Sequence, residues 1–165
     1  MIETSDPTRS LQRRVLIVDD HPDMATMLAR AVSQLSPTLE VLSSCRAKDA
    51  LEQVRDLRVD LLITDLMMPE MNGMELIEHL RSRPSGPPAF IVLITAYDVA
   101  NLEESTQRLK IDETVFKPFP PGLLVQIVRK ALNDMDQAKA SQPQSQHALE
   151  PKGVTSTSSE RKSIC

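Results

Sequence analysis

Short apolar runs alternate with amphipathic stretches through the first 135 residues of this chain. Arg14 to Val18 (RVLIV) is apolar after its arginine, which predicts a strand buried on both faces. Residues 22–35 then place Met24, Met27, Leu28, Ala31, Val32 and Leu35 along one helical stripe. Pro22 fits the first turn of that helix, where its missing N–H costs nothing, and Pro37 closes the segment. Leu39 to Ser43 predicts a weaker second strand, and residues 46–57 a second helix through Ala47, Ala50, Leu51, Val54 and Leu57. Leu61 to Thr64 predicts a third strand. A Pro- and Gly-bearing loop (Met68-Pro69-Glu70-Met71-Asn72-Gly73) follows it, then a helix marked by Met74, Ile77 and Leu80. Phe90 to Thr95 is the clearest central strand, followed by a more polar helix over 99–109. Thr114 to Phe116 predicts a fifth strand, and residues 121–135 a last helix with Leu123, Leu124, Ile127, Val128, Ala131, Leu132 and Met135 facing inward.

Strand and helix thus alternate five times. Parallel strands need crossover helices, so the pattern predicts an α/β fold: a five-stranded parallel sheet with helices on both faces, in (βα)5 order. This domain is expected over 13–135, after a flexible N-terminal segment over 1–12. From Gln137 the apolar pattern ends, and 136–165 is expected to be a disordered polar tail that cannot offset its ordering entropy by burial.

Composition narrows the function. The net charge is -4, and the tail's four basic residues against three acidic ones make no basic arm. The aromatic residues are Phe90, Tyr97, Phe116 and Phe119, none paired with basic residues for base stacking. Direct nucleic-acid binding is therefore disfavoured. The longest apolar strand run is too short to span a bilayer, and the segment before Arg14 has no apolar signal core, so no membrane association and a cytoplasmic location are expected. Cys45 and Cys165 lie far apart, without Cys or His at ligand spacing, and read as free thiols.

Ligands of open parallel sheets bind outside the carboxyl ends of the strands, so the residues just past each strand carry the chemistry. These are Asp19 and Asp20, Asp65, Thr95 and Lys117. Crowded carboxylates repel one another, and a hard divalent cation makes the crowding tolerable. A lysine and a hydroxyl beside that cation suit phosphoryl transfer, which is chiefly positioning and charge neutralisation, and a carboxylate can itself be the nucleophile. Each residue alone also has a plain structural explanation: Asp as helix cap or turn residue, Thr as a strand end, Lys as a solvated charge. Their joint placement at successive strand ends favours a site. His21, beside Pro22, reads as a helix-start residue and not as a ligand or phosphocarrier, with His79 and His147 at the surface. Met67, Met68, Met71 and Met74 read as packing and not as a soft-metal site.

Four stretches carry a resemblance: Val15-Leu16-Ile17-Val18-Asp19-Asp20-His21-Pro22, Asp60 through Gly73 (DLLITDLMMPEMNG), Ile94-Thr95-Ala96, and Phe116-Lys117-Pro118-Phe119. In this order and spacing the chain resembles the CheY-like receiver domain of two-component response regulators, from about Arg13 to Asp134. The resemblance implies a flavodoxin-like fold and a phosphorelay switch, a phosphoprotein carrying an aspartyl phosphate. Asp65 would take the phosphoryl group from a histidine kinase or phosphotransfer protein. Mg2+ would be held by Asp20, Asp65 and the backbone carbonyl of Met67, with Asp19 orienting it through water. Thr95 and Lys117 would bind the phosphoryl group, and the Lys117–Pro118 bond would be cis. The family catalyses only its own phosphorylation and dephosphorylation, so no separate enzymatic activity is expected.

The chain departs from the family at three places. Thr114 stands where an aromatic switch residue is usual, so coupling would run through Thr95, Tyr97 and the following loop. Met67 and Tyr97 occupy the two positions that tune hydrolysis, and neither positions a water readily. Lys110-Ile111 replaces the usual Gly-Ala before the fifth strand. No DNA-binding or catalytic output segment is legible, which points to a single-domain regulator signalling to a downstream protein. A receiver truncated from a larger regulator and a phosphorylation-independent scaffold are the alternatives. A related phosphatase is disfavoured, because its second Asp would fall at Met67.

Overall fold

The computed structural model describes residues 12–96 and 102–140. Five parallel strands form one sheet in the order β2-β1-β3-β4-β5: β1 Arg13–Val18, β2 Leu39–Ser44, β3 Leu61–Asp65, β4 Phe90–Thr95 and β5 Glu113–Phe116. The helices between and after them are α1 Pro22–Ser33, α2 Ala47–Gln53, α3 Gly73–Arg81, α4 Leu102–Arg108 and α5 Pro121–Ala140. The expected fold class holds. The chain runs outward from β1 in both directions, so the switch point where ligands bind lies between β1 and β3.

Strand alternation divides the core into two layers. On one face Leu16, Val18, Leu62, Ile91 and Leu93 pack beneath Leu76, Ile77 and Leu80 of α3, with Ala47 and Ala50 of α2. On the other, Val15, Ile17, Leu61, Ile63, Val92 and Ile94 pack beneath Leu28 and Val32 of α1 and Leu124 and Val128 of α5. Each such buried aliphatic side chain contributes about 1.5–3 kcal/mol. The sheet's entry edge is closed by carboxylates that complete its ladders. Asp60 Oδ2 accepts from the Arg14 amide at 2.9 Å, and Asp112 Oδ2 accepts from the Ile91 amide at 2.8 Å.

Two helices differ from their expected spans. α2 stops at Gln53 and not at 57, because the chain tightens into turns there: the Arg55 amide bonds to the Glu52 carbonyl and the Leu57 amide to the Val54 carbonyl. α5 continues to Ala140, so the first five residues assigned to the polar tail are helical. Arg13 fastens this extension, donating to Asp136 Oδ1 at 2.7 Å and lying 3.7 Å from Met135 Sδ. An apolar stripe cannot reveal a helix held by an ion pair and by good helix formers such as Ala138 and Lys139. Residues 1–11, 141–165 and the first part of the expected fourth helix lie outside the described residues, as does Tyr97.

The loop after β3 turns by defined chemistry. Asn72 caps α3: its side chain accepts from the Glu75 amide at 3.0 Å, while Glu75 Oε2 accepts from the Asn72 amide at 2.8 Å. Gly73 then passes so close to β3 that a Cβ there would lie 2.3 Å from the Asp65 carbonyl oxygen. Gly73→Ala must therefore displace backbone, at a cost on the overpacking scale of about 1–3 kcal/mol. Chemical denaturation should show a lowered midpoint for this variant; a midpoint equal to wild type would contradict the close approach.

Candidate functional site

The carboxyl ends of β1, β3, β4 and β5 bring the expected side chains together. β1 ends at Val18, and the Asp19 amide extends its ladder by one bond to the Ser44 carbonyl, 3.2 Å away. This fixes the Asp19 carboxylate beneath the rim, wholly buried. Asp19 Oδ1 accepts the His21 amide at 2.9 Å, and Oδ2 accepts Lys117 Nζ at 3.1 Å. Asp65, the last residue of β3, is also buried. Its Oδ2 accepts Lys117 Nζ at 2.6 Å, and its Oδ1 accepts the Met67 amide at 3.2 Å. Lys117 thus reaches from the end of β5 across to β1 and β3. Its backbone is anchored too, since its amide donates to the Thr95 carbonyl at 2.7 Å. The Lys117–Pro118 bond is cis, as the resemblance implies.

Thr95 is wholly buried at the end of β4, where it pairs in register with Phe116. Thr114 pairs with Leu93 two positions lower and is half-buried. Met67 is exposed beside the Asp65 carboxylate. Of the expected site residues, Tyr97 alone lies outside the described residues.

Burial of the Lys117 ammonium works against its charge, but the hydrogen bonds it donates to Asp65 and Asp19, with their negative charges, outweigh it, and its pKa rises above the ordinary lysine value. Lys117 therefore stays protonated between two carboxylates. Three carboxylates against one ammonium leave the cluster two charges negative. The side chains of Asp19, Asp20, His21 and Asp65 each place a ligand atom within 4.8 Å of the others. Asp20 Oδ1 is buried and finds no hydrogen-bond donor among the described residues. It lies 3.0 Å from His21 Nδ1 but outside hydrogen-bond alignment with it. An orphaned carboxylate oxygen in a doubly negative cluster is what a divalent cation would satisfy, so the residues fit Mg2+.

Two features escaped the sequence reading. His21 joins the carboxylates instead of serving only as a helix-start residue. Its place directly after two acidic residues, in a turn too tight to carry it away, was the available signal. Glu70 adopts a φ of 67° in the β3–α3 loop, and its carboxylate meets Arg46 Nη2 at 2.5 Å and Lys48 Nζ at 2.9 Å. Hydrogen bonds and charge from Lys48 and Arg46 hold this exposed carboxyl below the usual range. This surface triad ties the loop after Asp65 to the start of α2.

Comparison with known proteins agrees with this geometry. A family model for the response regulator receiver domain matches residues 15–129. The DNA-binding response regulator MtrA of Mycolicibacterium smegmatis is 38% identical over 128 residues, covering 74% of this chain and 52% of MtrA. The sensory transduction protein LytT of Enterococcus faecalis is 32% identical, covering 75% of this chain and 50% of LytT. The chain therefore spans about half the length of these relatives. Among solved structures, the REC domain of AraT, a response regulator from Geobacillus stearothermophilus, is 27% identical with a TM-score of 0.65, covering 78% of this chain and 99% of that one. The chemotaxis protein CheY4 of Vibrio cholerae, 22% identical with a TM-score of 0.65 over 73% of this chain and 98% of that one, shares the fold. With a family match over most of the sheet and its helices, this chain belongs to the response regulator receiver domains of two-component signalling.

Proposed function

We propose that the chain is a phosphoacceptor switch in which Asp65 accepts a phosphoryl group from the phosphohistidine of a histidine kinase or phosphotransfer protein. The observation that carries this is the bridging ammonium: Lys117 Nζ lies 2.6 Å from Asp65 Oδ2 and 3.1 Å from Asp19 Oδ2, beside the orphaned Asp20 Oδ1. Asp20, Asp65 and the Met67 carbonyl would hold Mg2+, with Asp19 orienting it. The ion would neutralise charge on the transferring group.

An Asp65 carboxylate oxygen attacks phosphorus as the phosphorus–nitrogen bond of the donor breaks, and the electron pair leaves on the imidazole. The Met67 amide on Oδ1 and Lys117 on Oδ2 hold the carboxylate in place before the attack. As the phosphoryl oxygens arrive, the Lys117 ammonium turns to them, and the Thr95 hydroxyl donates to one of them. Movement of Thr95 passes to β5 through the ladder in which it pairs with Phe116. Phe116 is half exposed at that edge strand, so the α4–β5–α5 face is where a downstream protein reads the state. The usual aromatic is replaced by Thr114, which leaves the coupling to Thr95, Tyr97 and the loop after β4. No described helix is long and apolar enough to cross a membrane, and the proposed partners place the switch in the cytoplasm.

Phosphorylation by acetyl phosphate or a histidine kinase, read by phosphate-affinity electrophoresis, should require both Mg2+ and Asp65. Asp65→Asn or removal of the metal by EDTA should reduce labelling to background; undiminished labelling of Asp65→Asn would place the acceptor elsewhere. Met67 is 57% exposed beside the acceptor and offers no polar group to orient an attacking water. Met67→Asn should therefore shorten the lifetime of the phosphorylated form severalfold in a decay assay, and an unchanged lifetime would remove Met67 from that role.

A further inference from the structure

Phosphoryl transfer uses the three carboxylates, Lys117 and Thr95, and leaves the imidazole of His21 without a role. His21 is the N-cap of α1, yet its side chain makes no capping hydrogen bond. Its ring instead turns back over the rim, with Nδ1 3.2 Å from Asp19 Oδ1 and 3.0 Å from Asp20 Oδ1. The side chain is 71% exposed, so no close packing imposes this position, and the polar contacts hold it there. A hydrogen bond from Nδ1 to Asp19 accounts for only part of the arrangement. Asp19 Oδ1 already accepts the His21 amide, and Asp20 Oδ1, the nearer oxygen, is left with no donor among the described residues.

The spacing matches a different partner. Two neighbouring ligands of an octahedral ion with bonds of about 2.1 Å stand about 3.0 Å apart, and those of a tetrahedral zinc about 3.3 Å apart. The separation of Nδ1 from Asp20 Oδ1, the unsatisfied oxygen among those that would hold the cation, is 3.0 Å and falls in this interval. We propose that His21 is a nitrogen ligand that adapts the acidic site to first-row transition cations, so that it holds Co2+, Ni2+ or Zn2+ more tightly than Mg2+. Mg2+ prefers oxygen and keeps much of its water, so it gains little from an imidazole, whereas the later divalent metals favour one. The inference rests on reading Asp19, Asp20 and Asp65 as a cation site.

Calorimetric titration of the full chain with MgCl2 and with CoCl2, at one fixed pH, tests both points separately. The visible absorption of Co2+ reports its ligands. His21→Ala should weaken Co2+ binding at least about tenfold, the scale on which even indirect support of a metal matters, change the Co2+ spectrum, and leave Mg2+ affinity nearly unchanged. Asp20→Asn should weaken both metals, which assigns the signal to this cluster and not to His79 or His147. If His21→Ala binds Co2+ as wild type does with the same spectrum, or if Co2+ binding ignores Asp20→Asn, the role of His21 is overturned while the Mg2+ site stands. A wild-type chain that binds neither metal overturns the role of His21 and the cation site together.

Discussion

Mutual repulsion of carboxylates at one edge of a sheet is the constraint on which this molecule is built. Asp19 and Asp65 are buried side by side, Asp20 adds a third charge, and a single ammonium from β5 stands between them. A buried carboxylate without a partner is strongly disfavoured, and Lys117 offsets only part of that cost. The arrangement is stable enough to fold yet remains two charges short of neutral. That residual charge suits the rim to a divalent cation and, in the proposed switch, through it to a phosphoryl group. In the proposed switch, the contacts that hold the unphosphorylated chain are the ones phosphorylation would rearrange.

The fold exists to hold this imbalance in place. Two apolar layers clamp β1 and β3 so firmly that their last residues have little freedom to relieve the repulsion by moving apart. Gly73 and the Asn72 capping box bend the chain back under Asp65, so that the Met67 amide faces its carboxylate. The Glu70 triad secures the same loop from outside, although its exposure leaves it open to screening by salt. Lys117 works from the opposite edge, anchored through the ladder bond to Thr95.

Much of this was legible before the structure, and the reason is that periodicity reports burial. The strands are recognisable because their residues are buried, and the candidate site residues because they close a strand or follow its end directly. What stayed hidden depends on side chains meeting at a distance. Arg13 meeting Asp136 carries α5 past its apolar stripe, and no local pattern encodes that. The early end of α2 depends on turn hydrogen bonds that a helical spacing of Val54 and Leu57 masks. The position of His21 before Pro22 marks a helix start, which it is; the direction of its ring depends on the aspartates it meets, which spacing does not show. The Met-Pro-x-Met-Asn-Gly motif is readable as a signature, but its physical content, a glycine pressed against the Asp65 carbonyl, requires the packed structure.

A crystal structure of the chain with Mg2+ and beryllofluoride is the most direct test of the central claim, because it reports cation, acceptor and lysine at once. The account predicts the ion on Asp20 and Asp65, the beryllofluoride on an Asp65 carboxylate oxygen, and Lys117 and Thr95 in contact with its fluorines. An ion bound away from these carboxylates, or an adduct that leaves Lys117 on Asp19 and Asp65 as in the resting chain, would contradict it.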